Sequence, residues 1–295
     1  MRAKGAELSL ADVINQGLVG LSLSMDLWLV AAGLTIAFGV AGVLNFAHGS
    51  FYMLGAYFGY TFYQGLELNF WLSLLGAAIC TGLIGLILEI TLFRRIYKLD
   101  VAYQLILTFG FILILGDLAK MVWGSMFLLA PMPEVFQGMI TVMGRTFPYY
   151  SLFVIGAGIT VGVLMWMALE WGWWGKIVRA TAADREMAES MGINTALTFS
   201  AVFLFAAALA GLAGAMSIPW RAVDTGVGTA IIIQAFIITV IGGLGNLKGA
   251  FVGALIVGLA SAYGILFFPG MQLFVIYVLM AVVLIVKPEG LLGER

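Results

Sequence analysis

Long apolar runs separated by short polar segments occupy almost the whole chain, and they constrain its fold more than any other feature. Stretches of about 20 apolar residues between charge clusters are long enough to cross about 30 Å of hydrocarbon as helices. Of the 295 residues, 63% are hydrophobic and only 10% are charged. A soluble globule of this composition would lack the polar groups needed to cover its surface. The sequence therefore predicts an integral membrane protein that crosses the bilayer many times.

The apolar runs predict an all-α fold: a polytopic membrane protein with about eight to ten transmembrane helices, some of them short or broken. The block over residues 10–65 accommodates either two long spans or three shorter ones. Two similar segments, Asn45–Phe51 and Asn246–Phe251, each lead into an apolar run and would fit an internal repeat of parallel sense. We expect spans near residues 16–40, 47–65, 71–93, 101–119, 148–169, 198–218, 229–245, 250–268 and 271–286.

Small residues recur at helical spacing within the apolar runs. The chain contains 38 glycines, and Ala207, Ala210, Gly211 and Gly214 lie three or four positions apart. In membranes such residues allow helix backbones to approach closely. We therefore expect the span that carries these four residues to pack tightly against its neighbours.

Lysine and arginine are distributed unequally between alternate polar segments, and this asymmetry predicts the orientation. Counted back from the C-terminus, one side carries only Lys120, Arg145 and Arg221. The opposite side, with the C-terminus, is predicted to be cytoplasmic because basic residues concentrate there. Arg2 and Lys4 favour a cytoplasmic N-terminus, whereas a nine-span count places it outside. The nine basic residues of the cytoplasmic side are Arg94, Arg95, Lys98, Lys176, Arg179, Arg185, Lys248, Lys287 and Arg295.

The loop over residues 170–198 contains the densest charge cluster of the chain. Thr181 is a candidate N-cap for a short helix over residues 182–191, because acidic residues follow it in the first turn. Met187 and Met191 lie four positions apart and therefore share one face of that helix. A methionine-bearing apolar face suits insertion into a groove on a soluble partner. The alternative is a solvated connector between two spans.

The segment over residues 39–57 combines glycines with polar residues inside an apolar run. Gly39, Gly42 and Gly49 weaken a continuous helix, and Asn45 and His48 lie among them. Polar groups at membrane depth usually face protein or a water-lined path. One interpretation is a broken helix at a pathway; the other is a helix start at which His48 meets interfacial water.

Other polar residues also lie within or beside the apolar runs. Gln234 and Thr239 are candidates to face a pathway. Two ion pairs are expected near helix ends, where opposite charges lie within one or two turns: Asp117 with Lys120, and Glu89 with Arg94 or Arg95.

The sequence contains no pattern of an enzyme active site. A Gly-x-x-x-x-Gly-Lys-Ser/Thr loop for nucleotide phosphates is missing, and no nucleophile elbow or His cluster occurs. One histidine and the single Cys80 provide no set of metal ligands. We therefore predict no catalytic site, no metal and no cofactor. The net charge of −1 also argues against a nucleic-acid partner.

Several segments together resemble the LivH-type permease subunits of the branched-chain amino acid ABC importer family. They are residues 33–57, with Asn45-Phe-Ala-His-Gly-Ser; 179–194, with Asp184-Arg-Glu-Met-Ala-Glu-Ser-Met-Gly; 205–214; 242–250; and 287–293. The resemblance covers residues 12–293. Ser50 departs from the pattern, because many relatives carry an acidic residue after the Ala-His-Gly run.

The resemblance implies a single transmembrane permease domain over residues 1–295, with a cytoplasmic ATPase-docking loop at about 170–198. Such a chain would import branched-chain or other hydrophobic amino acids across the bacterial inner membrane. Alternatives are urea, short amides or aromatic acids as substrates, or an ion-coupled secondary transporter. The expected partners are cytoplasmic ABC ATPase subunits, a second and related permease subunit, a periplasmic substrate-binding protein and membrane lipid. ATP hydrolysis is expected in the separate ATPase subunits.

Two sets of site residues follow from the loop and from the broken segment. The ATPase-coupling residues implied by the resemblance are Arg179, Ala183, Asp184, Arg185, Glu186, Met187, Met191 and Gly192. The candidates for the translocation pathway or a helix break are Gly42, Asn45, His48, Gly49, Gln234 and Thr239.

Overall fold

The computed structural model is dominated by helices and describes residues 10–97 and 99–293. Arg2, Lys4, Lys98 and Arg295, which contribute to the predicted orientation, lie outside the described residues. The elements are α1 (Leu10–Ala41), α2 (His48–Tyr60), α3 (Phe70–Ile96), α4 (Val101–Trp123), β1 (Met139–Val142), β2 (Arg145–Pro148), α5 (Tyr149–Glu170), α6 (Trp173–Ala183), α7 (Arg185–Ser190), α8 (Thr195–Ser217), α9 (Val227–Gly242), α10 (Leu247–Phe267) and α11 (Gln272–Val286).

Six of the described helices are long and apolar enough to cross a membrane: α1, α3, α4, α5, α8 and α10. The apolar helices α9 and α11 are shorter, and α2 has 13 residues. Short π-helical segments, Thr61–Gly65 and Glu89–Phe93, extend α2 and interrupt α3. The predicted all-α, polytopic architecture is confirmed. The ambiguous first block contains two helices, because α1 alone takes up 32 residues.

Contacts between helix termini define two ends of the molecule. At the basic end, Lys248 Nζ lies 3.4 Å from Glu170 Oε1, and the Leu291 amide donates to the Ile241 carbonyl. At the opposite, hairpin end, Asp12 of α1 forms a 2.5 Å ion pair with Arg145 of β2. Lys120, Arg145 and Arg221 are the described basic residues of the hairpin end. The basic end carries Arg94, Arg95, Lys176, Arg179, Arg185, Lys248 and Lys287.

Helix α8 lies at the centre of the helix packing, between α2 and α3. Gly55 of α2 faces Gly211 of α8 so closely that a β-carbon on either residue would collide with its neighbours. Gly85 of α3 similarly approaches Ala207 of α8. The predicted tight packing of this small-residue span is confirmed, because glycine and alanine leave the space that the neighbouring backbones occupy.

The chain reverses direction between α1 and α2. Gly42 ends α1 with φ +65°, a left-handed conformation that favours glycine. Helix α2 then begins beside the middle of α1, where His48 Nε2 lies 3.2 Å from the Val30 carbonyl oxygen. His48 is buried, so the interpretation that it meets interfacial water does not hold.

The short helix predicted over residues 182–191 is present as α7, but its predicted start and its predicted cap, Thr181, are wrong. Thr181 lies inside α6, and Asp184 separates α6 from α7 in an extended conformation with φ −155° and ψ 107°. The Asp184 carboxylate accepts a 2.9 Å hydrogen bond from the Met187 amide and so caps α7. A carboxylate at the N-cap stabilises a helix start at least as well as the threonine hydroxyl, which explains the later start.

Both ion pairs expected near helix ends are present. Lys120 Nζ lies 3.2 Å from Asp117 Oδ1, and both side chains are largely exposed. Arg94 Nη2 lies 3.1 Å from Glu89 Oε2, and the Glu89 side chain is buried. The second pair therefore contributes to packing at the basic end, whereas the first lies on the surface.

Candidate functional site

Helix α7 is held against α8 by a small set of side-chain contacts. The Arg185 guanidinium lies 5.0 Å from the centre of the Phe199 ring and donates a 3.0 Å hydrogen bond to Glu189. Thr195, the first residue of α8, donates to the same carboxylate, and Ala188 is buried underneath. These contacts make α7 and the start of α8 a single unit, so a force on α7 is transmitted to α8.

The opposite face of α7 carries exposed apolar side chains. Met187 is 60% exposed and Met191 is 77% exposed, and Leu197 at the start of α8 is also exposed. Glu186 and Gly192 lie beside them on the surface, and Gly192 has φ +85°, which ends this turn of helix. The structure thus brings the predicted coupling residues of α7 together on one exposed surface at the basic end.

Arg179 and Ala183 belong to α6, which precedes this surface. Arg179 donates to the Leu169 carbonyl at the end of α5, and its Nη1 atom lies 3.9 Å from Glu170. Ala183 is the exposed last residue of α6. Arg179 therefore ties α6 to α5, whereas the residues from Ala183 onward face outward.

A polar cluster centred on Glu89 links α3 to α8 close to the same surface. Glu89 is buried and accepts hydrogen bonds from Arg94, from Tyr97 at 3.1 Å and from Ser200 at 2.5 Å. Burial raises the pKa of the Tyr97 phenol, so Tyr97 stays a neutral donor to the carboxylate. Movement of the first turn of α8 would therefore also pull on α3 through the hydrogen bond between Ser200 and Glu89.

The pathway candidates come from two segments that are distant in sequence and adjacent in space. Gly49, in the first turn of α2, packs against Gly228 in the first turn of α9. The Phe46 and Phe236 rings lie 5.5 Å apart, beside Asn45 and Gln234 respectively. The two short helices α2 and α9 thus meet at their N-terminal turns, inside the region that the long helices enclose.

The side chains of these candidates differ in their surroundings. Both polar atoms of the buried Asn45 side chain lack a hydrogen-bond partner among the described residues. Gln234 is half-buried on α9, whereas Thr239 is buried and donates to the Phe236 carbonyl of its own helix. Gly42 lies at the basic end, on the surface of a cavity. Asn45 thus contributes buried polar atoms without a partner among the described residues, Gln234 is partly accessible, and the Thr239 hydroxyl is already paired within its own helix.

Sequence reasoning missed a buried polar cluster toward the hairpin end. Asp26 of α1 is 1% exposed, and its Oδ2 atom accepts a 3.2 Å hydrogen bond from Tyr52 of α2. Its Oδ1 atom has no partner among the described residues. Tyr52 and Asp26 raise the pKa of the Arg221 guanidinium in the segment between α8 and α9. The available signal was Asp26 itself, an acidic residue within a long apolar run, and it was not used.

No group of His, Cys, Asp or Glu side chains suited to a metal ion occurs within residues 10–97 and 99–293. The described chain therefore offers three candidate functional features: an exposed apolar surface on α7, a junction of two short helices and buried polar clusters. None of these arrangements combines a nucleophile, a base and an oxyanion donor.

Comparison with known proteins connects this geometry to a family. Residues 18–284 match the family model described as "Branched-chain amino acid transport system / permease component". The match covers nearly the whole helical domain, including α7 and the junction of α2 with α9. It is therefore a match to the complete fold and not to one motif.

Curated relatives and one solved structure agree with this match. The permease protein LivH of Salmonella typhimurium is 28% identical, over 95% of this chain and 96% of its own length. BraD of Pseudomonas aeruginosa is 27% identical, with the same coverage. A chain in the structure titled "PsaBC from Streptococcus pneumoniae in complex with Fab" superposes with a TM-score of 0.52 at 16% identity, covering 92% of this chain and 91% of that chain. That likeness shows a shared fold.

Proposed function

This chain belongs to the family of branched-chain amino acid transport permeases, and we propose that it forms one half of the membrane pathway of an ATP-driven importer. The proposed substrates are branched-chain or other hydrophobic amino acids, as the names of LivH and BraD suggest. The mostly apolar interior suits such side chains. Urea, short amides and aromatic acids are the alternative substrates, and ion-coupled secondary transport is the alternative mechanism.

The basic end is proposed to face the cytoplasm. Of the described basic residues, seven lie at that end and three at the hairpin end, a distribution that the positive-inside rule assigns to the cytoplasmic side. Lys287, just after α11, places the C-terminal segment at the same end. The multi-pass chain would then expose β1 and β2 on the outer face of a bacterial inner membrane.

The surface formed by α7 and the start of α8 is the proposed docking site for a cytoplasmic ABC ATPase subunit, which would hydrolyse ATP. The single observation that carries this proposal is an exposed, methionine-bearing surface that contacts the central helix through Arg185 and Glu189. Met187 and Met191 offer apolar contact, and Glu186 adds a charge at the edge. Because Arg185 and Glu189 join α7 to α8, movement of the ATPase would displace the helix that packs against α2 and α3.

The remaining partners follow from the same proposal. A second, related permease chain would complete the pathway, and a periplasmic binding protein would deliver substrate to the hairpin end. The junction of α2 with α9 would contact the substrate through Asn45 and Gln234. Gly42, His48, Gly49 and Thr239 would then hold the two short helices in place.

Replacing Met187 with glutamate tests the docking proposal. A carboxylate on the contact surface has to be desolvated when the partner binds, so we expect association with the ATPase subunit to weaken about tenfold or more. Co-purification of the two subunits and ATP-driven uptake into proteoliposomes are the measurements. Met143→Glu is the matched control, because Met143 is also 60% exposed but lies at the hairpin end.

Two outcomes would contradict the proposal in different ways. If Met187→Glu retains the ATPase subunit as well as Met143→Glu does, the α7 surface is not the docking site. If the chain alone accumulates substrate in proteoliposomes under an ion gradient, it is a secondary transporter. A panel of amino acids, urea and amides in the same uptake assay identifies the substrate class.

A further inference from the structure

Two adjoining cavities lie at the basic end, where α1, α5 and α10 meet. The larger has a volume of about 670 Å³ and the smaller about 330 Å³. Trp166, Leu247 and Lys248 line both of them, so the two cavities adjoin, and together we call them the recess. The recess joins the polar surface of the basic end to the membrane-facing side of the molecule.

The smaller cavity is an apolar groove between α5 and α10. Ile159, Val163 and Trp166 form its wall on α5, and each of them is exposed. Phe251 and Val252 of α10 form the opposite wall. Ile159 and Trp166 are about two helical turns apart, so the groove extends for about 10 Å along α5. An apolar chain that enters from the side of the membrane matches these walls.

The larger cavity places two cations around one carboxylate. Glu170 lies 3.4 Å from Lys248 Nζ and 3.9 Å from Arg179 Nη1. The three charges sum to one net positive charge at the mouth of the recess. Lys248 lines both cavities, and its ammonium group lies 3.4 Å from Glu170 of the larger one. Lys248 therefore stands at the boundary between the two environments.

We propose that this recess binds an anionic phospholipid from the leaflet at the basic end. The headgroup phosphate would contact Lys248 and Arg179, and one acyl chain would occupy the groove along Val163. Basic pockets between membrane helices are suited to anionic headgroups, since each nearby lysine or arginine adds favourable electrostatic energy. A water-soluble anion matches the charged cavity but leaves the groove empty, and a neutral lipid matches only the groove. A phospholipid with a negative headgroup matches both.

The charge part of the proposal is tested by Lys248→Gln in the full chain with its partner subunits. Native mass spectrometry would count retained lipid as phosphatidylglycerol is titrated into phosphatidylcholine nanodiscs. We expect the midpoint for phosphatidylglycerol to rise about fivefold, the factor that corresponds to about 1 kcal/mol for one lysine. Lys176→Gln is the matched control, because exposed Lys176 lies over Trp173 and outside both cavities.

Removing the Glu170 carboxylate should change the midpoint for phosphatidylglycerol in the opposite direction. Glu170→Gln leaves Lys248 and Arg179 without their neutralising partner, so the midpoint for phosphatidylglycerol should fall. A structural role for the ion pair alone would give loss of binding in both variants. Equal midpoints for the unmodified chain, Lys248→Gln and Glu170→Gln would overturn the proposal.

The groove is tested separately by Val163→Phe, which fills it with a phenyl ring. Retained phosphatidylglycerol should fall severalfold, whereas Leu164→Phe, exposed on the same helix but outside the groove, should have no effect. Inorganic phosphate should not displace the lipid. If inorganic phosphate displaces it, or if Val163→Phe binds normally, the recess is a simple anion site and the phospholipid proposal is wrong.

Discussion

Replacing Gly214 with alanine is expected to prevent the chain from reaching its folded state. A β-carbon at Gly214 would collide with the Tyr52 carbonyl oxygen and lie 2.9 Å from the Ala56 amide nitrogen. Both are backbone atoms of α2, so relief requires the whole helix to move. Interiors of this density do not absorb such a shift cheaply, and we expect a loss of about 4 kcal/mol or more.

The matched control is Gly116→Ala on α4. Apart from its own helix, no atom of the described residues lies within 4 Å of the β-carbon that this substitution adds. Alanine has the higher helix propensity, so this variant should be neutral or stabilised by up to about 1 kcal/mol. Each variant is heated in detergent, and size-exclusion chromatography then measures the fraction of protein that remains monodisperse. Similar survival of Gly214→Ala and Gly116→Ala would show that α2 and α8 do not approach as described.

The effect at Gly214 should extend beyond stability. Helix α2 contacts α8 through Gly55 and Gly211 as well, and its first turn forms the junction with α9 at Gly49 and Gly228. Displacement of α2 therefore also displaces the proposed pathway. We expect any Gly214→Ala protein recovered at low temperature to show no ATP-driven uptake.

Replacing Asp26 with alanine is expected to have the second-largest effect. The change leaves the Tyr52 hydroxyl without its acceptor at 3.2 Å and removes a carboxyl group that acts electrostatically on Arg221. Removal of one member of a buried charged cluster leaves the others uncompensated, which costs about 3 kcal/mol. Thermal unfolding in detergent, measured as for Gly214→Ala, is the test.

A double-mutant cycle separates this interaction from simple loss of packing. Asp26→Asn and Arg221→Gln are combined, and we expect the double variant to be less destabilised than the sum by about 1 kcal/mol. The exposed pair of Asp117 and Lys120 at the same end provides the control, since Asp117→Asn should cost less than about 1 kcal/mol. Strict additivity of Asp26→Asn and Arg221→Gln would mean that the two residues do not interact.

Local sequence patterns were sufficient to predict those properties that depend on neighbouring residues alone. The spans were predictable because each one must be apolar over its own length, and Asp117 pairs with Lys120 because both lie within one turn. The start of the short helix expected over residues 182–191 was mispredicted, because Thr181 and Asp184 are both suitable N-caps. Their order of preference depends on how α6 packs beneath α5, through Arg179 and Leu169.

The candidate site was only partly predictable, because some of its residues are close in sequence and others are brought together only by packing. The exposure of Met187 and Met191 follows from a polar loop, and their four-residue spacing already placed them on one face. The junction of Gly49 with Gly228 unites residues that lie far apart in the chain, and nothing in either segment specifies its partner. Asp26 was overlooked because its role depends on Tyr52 and Arg221, which approach it only after α1, α2 and α8 have packed.

By itself, the sequence determined that the chain lies in a membrane, that its fold is all-α and which end carries the basic residues. These properties follow from hydrophobic transfer and charge, and both act on each segment independently. Only the tertiary structure decided that α2 doubles back beside α1, that α8 forms the centre and that Lys248 joins two cavities. Those features depend on backbone approaches that small residues permit but do not dictate, so the choice among them is made when all the helices pack together.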